Sequence, residues 1–389
     1  MVSGVMKLGK VEIRDFRNHR HSLIECAGGI NALFGDNGEG KTNIVEAISY
    51  LCLAKSFYAS NDSVVLKIGC ERFEVTGEFQ GDNETTWTVK ALYENATTKK
   101  TLTVNKVAAE TLSSFVGQFP AVVLSPEQNG ITFGAPTERR RFLDLAISQA
   151  SKMYLEKLLE YRKILRQRNK ILFDAKVGRH DPSGELEPWD ESLVLTGTDI
   201  MMRRRAFVGE FMPAMMEQFR RVAGGTEEPG IAYQPSFAIE AGTDREAVEK
   251  RFREELRAHN GEERKAGTTI TGPHRDELDF GIDGMSLRKF ASQGQHKTFL
   301  VALKLAEFFY LKEKREETPI LLLDDVFSEL DKGRSARLLD FAEGLGQVFV
   351  TATDDGAFPP GFPWNGKHRR FTVKQGTTEE HAEKRLFVN

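Results

Sequence analysis

The residues Gly35-Asp36-Asn37-Gly38-Glu39-Gly40-Lys41-Thr42 fit the pattern GxxxxGK[ST], and the types at each place suit the holding of a polyphosphate. Glycines at 35, 38 and 40 let successive backbone N–H groups curl around phosphate oxygens with no Cβ in the way. Lys41 supplies a cation for the β- and γ-phosphates and the Thr42 hydroxyl a ligand for Mg²⁺. Asn43 continues the first turn of a helix whose positive end faces the anion. Such a loop needs a carboxylate at the end of a neighbouring strand to hold the metal. The run Ile320-Leu321-Leu322-Leu323-Asp324-Asp325 offers two, Asp324 to coordinate Mg²⁺ and Asp325 to polarise a water attacking the γ-phosphate. Strands often end in Asp, so the second run is weak alone; with the loop it is specific. ATP and Mg²⁺ are the expected ligands.

Two further groups carry charge chemistry. Ser292-Gln293-Gly294-Gln295 stands directly before a long helical pattern, which places a hydroxyl, a glycine and unpaired N–H groups at a helix start. Taken alone, the turn reads better as an ordinary helix cap, with Ser292 capping. The second group is basic: Arg139, Arg140 and Arg141, then Lys163, Arg166 and Arg168 among Lys157, Arg162 and Lys170, and Arg203 to Arg205. A ladder of cations suits a phosphate backbone, and a charge run also suits a solvated helix face; charge leaves the two readings even. No interleaved aromatic platform is evident, which favours duplex backbone over single-strand stacking. Arg275, in Gly272-Pro273-His274-Arg275, stands beside a strand start and reads as a head-surface contact to DNA or nucleotide; His274 reads as a satisfied turn residue.

The elements that must position these groups follow from periodicity. Residues 11–16 and 30–35 read as strands, the latter ending at the glycine of the loop, and residues 43–54 read as a helix with Ile44, Ala47, Ile48 and Leu51 on one face. Alternating runs at 63–68, 72–79, 85–93 and 100–105 predict strands, and 121–125 a buried one. From 137 to 173 one long helical pattern runs with Leu143, Ile147, Tyr154, Leu158, Tyr161 and Leu165 in a seam; a polar break at 174–190 and a second helix complete an αα-hairpin. Helix follows at 244–260, strand at 276–282, helix at 295–315, strand at 319–325 and strand at 347–352. The layout is α/β: an ATPase head split in sequence (1–136 and 269–389) around a helical arm (137–268).

Bulk properties agree. A chain of 389 residues with 40% hydrophobic and 29% charged residues is an ordinary globular protein of one large or two smaller domains. A net charge of −3 confines any nucleic-acid contact to local patches. Three cysteines without a CxxC pair argue against structural zinc and suit a reducing compartment; no run is long enough to span a membrane, so the cytosol is the expected location.

The loop, Ser292–Gln295, the stretch 321–331 (LLLDDVFSELD) and the stretch 271–278 (TGPHRDEL) occur together in this order, with FRNHRHSL at 16–23, SPE at 125–127 and RRRFLD at 139–144. This combination, across nearly the whole chain, resembles the RecF family of ABC-class ATPases, relatives of the SMC and Rad50 heads. The resemblance implies heads that pair head to tail, with ATP between the loop of one copy and Ser292-Gln293-Gly294-Gln295 of the other, and Asp331 at the seam. It implies duplex DNA at gaps or double-strand/single-strand junctions as the partner, with slow ATP turnover. RecR and RecO are the expected protein partners, with promotion of RecA loading and no membrane association. The sequence departs from the family pattern at Tyr58, where an Arg is usual, and at Ser125–Gly130. There Glu127 and Gln128 stand near the loop that senses Mg²⁺, with Gln128 a further metal ligand. Thr351 or Thr353 fills the place of a switch histidine. The competing readings are a transporter ATPase subunit, and a nuclease of the overcoming-lysogenization-defect (OLD) type. The nuclease would need more chain than the 64 residues after Asp325.

Overall fold

Alternation of apolar and polar residues makes the first strand, Lys7–Phe16, two-faced: Leu8, Val11, Ile13 and Phe16 are wholly buried. The spacing from Leu8 to Val11 breaks the two-residue period, and a bulge between Leu8 and Lys10 restores it. The computed structural model describes residues 6–59, 61–81, 85–178, 181–240, 242–328 and 332–381. An antiparallel sheet runs in the order His19–Glu25, Lys7–Phe16, Arg72–Gln80, Thr86–Glu94, Lys99–Val104 and Val107–Ala108. The run at 63–68 does not join it. Asp62–Val65 is a 3₁₀ turn, and only Leu66 makes a bridge, to Phe16. Val64 and Ile68 face solvent, so the alternation there has no apolar surface to rest on.

The second sheet positions the site. Its order is Thr377–Glu380, Arg369–Lys374, Ile30–Phe34, Val348–Ala352, Ile320–Leu323 and Ala121–Leu124. All neighbours are parallel except the hairpin of the first two. Ile320–Leu323, Val348–Ala352 and Ala121–Leu124 are buried throughout, as their apolar runs, broken only by Thr351, require of strands covered on both faces. The acidic strand Ile320–Leu323 does not touch the phosphate-loop strand Ile30–Phe34. Val348–Ala352 lies between them, which corrects the expectation of adjacent strands.

The chain divides into two compact units, residues 1–129, 217–226 and 293–389 against residues 130–216 and 227–292. The arm unit therefore begins at Gly130 and extends to Ser292, beyond the 137–268 span read from texture. Strand Glu277–Ile282, expected to re-enter the head, instead pairs with Pro229–Gln234 and Met285–Ser286 in the arm unit. The long helical pattern from 137 is two helices, Pro136–Ala150 and Lys152–Gly178. Ser151 between them is extended, and its hydroxyl caps the second by accepting from the Tyr154 N–H. The polar break shrinks, since helix Ser183–Ala223 begins well before 191.

Several of the arm's arginines face inward. Arg139 is bound in a bidentate pair to Glu277, and Arg168 to Asp190 and Glu263 while donating to the Thr269 hydroxyl. Their side chains are 5% and 2% exposed, so neither meets nucleic acid as the sequence reading expected. Arg204 is as enclosed as Arg168. It pairs with Asp144 at 2.8 Å and Asp276 at 3.0 Å, and donates to the Tyr154 hydroxyl and the Pro273 carbonyl. Arg140 is half-buried, donating to the Asp276 carbonyl. His274 accepts from Tyr161 at Nδ1 and donates from Nε2 to the Thr269 carbonyl; burial pushes its pKa down to about 4. It is the satisfied turn residue the sequence suggested. Arg141, Lys163, Arg166 and Arg275 are exposed.

Candidate nucleotide site

The loop between Ile30–Phe34 and the helix Lys41–Leu53 has the conformation its glycines were read to provide. Gly35, Gly38 and Gly40 hold φ of 152°, 86° and 112°. Asp36, Asn37 and Gly38 are exposed at the tip, whereas Gly40 is buried. A Cβ on Gly40 would lie 2.6 Å from Asn18 Oδ1 and 2.8 Å from His19 Nε2, so this position excludes every larger residue. Lys41 Nζ donates to the carbonyls of Gly35 at 2.6 Å and Asp36 at 2.8 Å. Burial lowers its pKa, against the opposing pull of Asp325 and Asp324.

The candidate metal-holding group forms across 282 residues of sequence. Thr42 Oγ1 donates to Asp324 Oδ1 at 2.8 Å, and Thr351 Oγ1 donates to the same oxygen at 2.9 Å. Thr351 also accepts from the Asp325 N–H at 2.8 Å. It is the last residue but one of the intervening strand Val348–Ala352, so that strand too contributes a hydroxyl to the acid. Burial raises the Asp324 pKa, partly offset by these two hydroxyl donors. Asp325 itself takes φ of 50°, a left-handed conformation that turns the chain out of the strand. The two threonines considered for the switch position thus part: Thr351 is buried in this network, and Thr353 is exposed beyond it. A cavity of about 510 Å³ on this side of Asp325 is lined by Phe327, Leu339, Thr353, Phe358 and Pro359, with no phosphate-loop residue; it is not the nucleotide cradle.

Strand Ala121–Leu124 pairs with Ile320–Leu323 so that Leu124 stands opposite Leu323, and the segments that follow start side by side. Ser125 and Gln128 lie there, Gln128 in the 3₁₀ turn Pro126–Asn129, and Glu127 is exposed. Gln128 Oε1 is buried and accepts no hydrogen bond from the described residues. An uncommitted buried carbonyl oxygen beside the Asp324 strand end is the donor type a hard divalent cation takes. Thr42, Asp324 and Gln128 therefore fit Mg²⁺, which characteristically binds one or two carboxylates together with phosphates and water.

At the turn Ser292–Gln295, Ser292 and Gln293 are exposed and Gly294 and Gln295 half-buried, with Gln293 opening the helix Gln293–Arg315. The unit boundary falls between Ser292 and Gln293. Asp331 lies outside the described residues. Sequence reasoning missed the groups around the loop: Asn18, His19, Ser22 and Gly376 surround its back. Arg17 forms a bidentate pair with Glu46 of the loop's helix while its guanidinium lies 5.6 Å from the exposed Tyr58 ring. The cluster FRNH at 16–19 was visible as a pattern, but nothing local said what it would touch.

Comparison with known proteins agrees with this geometry. The RecF/RecN/SMC N terminal domain matches residues 7–361. The chain is 43% identical over 352 residues to the DNA replication and repair protein RecF of Chloroherpeton thalassium, covering 90% of this chain and 95% of that one. It is 40% identical over 375 residues to that of Salinibacter ruber, covering 95% and 91%. A solved structure of the recombination mediator protein RecF with ATP, in the RecFOR pathway, has a TM-score of 0.89 at 30% identity, covering 97% of this chain and 98% of that one. An Smc head bound to the C-winged helix domain of ScpA shares the fold alone, with a TM-score of 0.52 at 16% identity. On these matches and on the α/β head with its helical lobe, the chain belongs to the RecF family of DNA replication and repair proteins.

Proposed function

We propose that the chain is an ATP-dependent DNA-binding protein of recombinational repair and replication-fork maintenance. ATP joins two copies head to tail on duplex DNA at gaps or double-strand/single-strand junctions. Slow hydrolysis releases them, and RecO- and RecR-type partners help to load a RecA-type recombinase. The observation that carries this reading is the joining of Thr42, Asp324 and Thr351 at the mouth of the glycine loop, across most of the chain's length. The exposure of Ser292 and Gln293 supports the partner half of the site, because phosphate contacts present only in the dimer make ATP a closing ligand. Magnesium would be held by Thr42, Asp324 and Gln128, and would neutralise charge on the β- and γ-phosphates. Family membership leaves no place for the transporter or OLD-type alternatives.

Lys41→Ala removes a charge-assisted contact and is expected to weaken ATP binding roughly 10- to 100-fold. Ser292→Arg should leave ATP binding to the monomer intact and prevent dimerisation. Sizing and DNA binding with and without ATP test both. Wild-type dimerisation by both variants would rule out the clamp. For the arm, the variant with Arg141, Lys163 and Arg166 all changed to Ala is expected to flatten the slope of log affinity against log salt by up to roughly 2.7, about 0.9 per lost phosphate contact. An unchanged slope would place the DNA elsewhere.

A further inference from the structure

A loop that turns its N–H groups toward a phosphate turns its carbonyls the other way, and those carbonyls need donors. Four of this loop's carbonyls have one. Lys41 serves Gly35 and Asp36. Glu39 O accepts from Asn18 Nδ2 and from the Gly376 N–H, each at 3.0 Å. Gly40 O meets His19 Nε2 at 3.0 Å. Two of these supports come from the turn after Lys7–Phe16 and one from the hairpin turn joining Arg369–Lys374 to Thr377–Glu380. The Glu39 carboxylate also accepts from the Gln375 N–H, so the side chain of this loop residue reaches back to the hairpin.

The two turns are tied to each other as well. Ser22 Oγ lies 2.8 Å from His19 Nδ1 and 3.1 Å from the Gly376 carbonyl. Gly40 O can only accept, so the ring carries its proton on Nε2. Ser22 then has one proton for two acceptors, Nδ1 and Gly376 O. Gly376 has φ of 72°, and a Cβ there would meet Asn18 O at 2.5 Å, so the hairpin rests on the turn backbone to backbone. His19 is wholly buried.

We propose that His19, together with the Gln375–Gly376 hairpin turn, is the positioning element of the phosphate loop, setting the inward aim of its N–H groups without touching the nucleotide. The proposal rests on the ATP-binding reading above. It predicts that the affinity for ATP depends on a hairpin 336 residues distant in sequence from Glu39.

The test measures binding of a fluorescent ATP analogue to the full-length protein, alongside nucleotide-free thermal unfolding, for wild type, His19→Leu, His19→Gln and Gly376→Ala. All are assayed at a temperature where unfolding shows each variant folded. His19→Leu keeps the volume and loses the donor; its Kd should rise at least tenfold. His19→Gln restores an N–H and should recover to within about threefold of wild type. Gly376→Ala should weaken ATP as His19→Leu does. A folded His19→Leu or Gly376→Ala protein with wild-type Kd overturns the proposal, as does a His19→Gln variant as weak as Leu. A wild-type chain that fails to bind the analogue overturns the functional reading itself.

Discussion

Changing Asp325 to Asn is expected to slow ATP turnover by roughly 10²- to 10⁴-fold, the usual reach of a group that accepts a proton from the attacking water, while leaving ATP-dependent dimerisation intact. The substitution is mild everywhere except in that function. Asp325 sits at φ of 50°, a region where Asn is comfortable and most side chains are strained. Its backbone N–H, which donates to Thr351, is untouched. Asp324 keeps both hydroxyl donors, so the carboxylate proposed to hold magnesium is unaffected. Phosphate release and sizing, each with ATP, read the two effects separately. Unchanged turnover would remove Asp325 from the chemistry. Lost dimerisation would show that its charge serves the closed state rather than hydrolysis.

The largest expected effect on stability belongs to Arg204. Changing it to Met removes the cation shared by Asp144 and Asp276, whose side chains are 10% and 1% exposed; Asp144 keeps Arg162 and the Tyr154 hydroxyl, and Asp276 keeps only neutral donors, the Tyr233 hydroxyl and the Ser236 N–H. Removing one partner of a buried ion pair costs about 3–5 kcal/mol, because the remaining charge has no solvent to replace it. Here only Asp276 is left without a cation, so the lower end applies. Denaturant unfolding should show it, and adding Asp276→Asn should return part of the loss by neutralising the stranded charge. Arg203→Met, one residue away on a partly exposed side chain paired to Glu210, should stay within about 0.5 kcal/mol of wild type. Equal effects at 203 and 204 would contradict the buried network.

The contrast between those neighbours shows where the sequence was readable. The glycine loop is a local device, so its residue types, its strand and its helix could all be inferred together. Asp324 and Asp325 were found because an apolar run ending in carboxylates is likewise local. The strand that separates them from the loop was not, since strand order depends on which apolar runs pack together at a distance. Thr351 has no distinguishing neighbour in sequence, and its bridging role exists only once that order is set. The arginines failed for another reason. Composition treats a buried guanidinium and a solvated one alike. Yet Arg168 falls seven residues beyond Tyr161 and fourteen beyond Tyr154, both buried on the same helix, so periodicity carried the signal that the charge concealed. The arm's small sheet was missed because Pro229–Gln234 is short, and only Glu277–Ile282 makes it a strand.

The phosphate-loop strand lies between two partners, Val348–Ala352 and Arg369–Lys374, both made more than 300 residues after it. On a ribosome adding about 5–20 residues per second, Ile30–Phe34 waits roughly 15 to 60 seconds for either neighbour. The antiparallel sheet from Lys7 to Ala108 can pair while the chain is still emerging, but the nucleotide cradle cannot. A nascent chain halted anywhere in the arm has the loop in sequence and no frame to hold it. Competence to bind ATP therefore arrives only with the last strands, which makes it a report that synthesis has passed them.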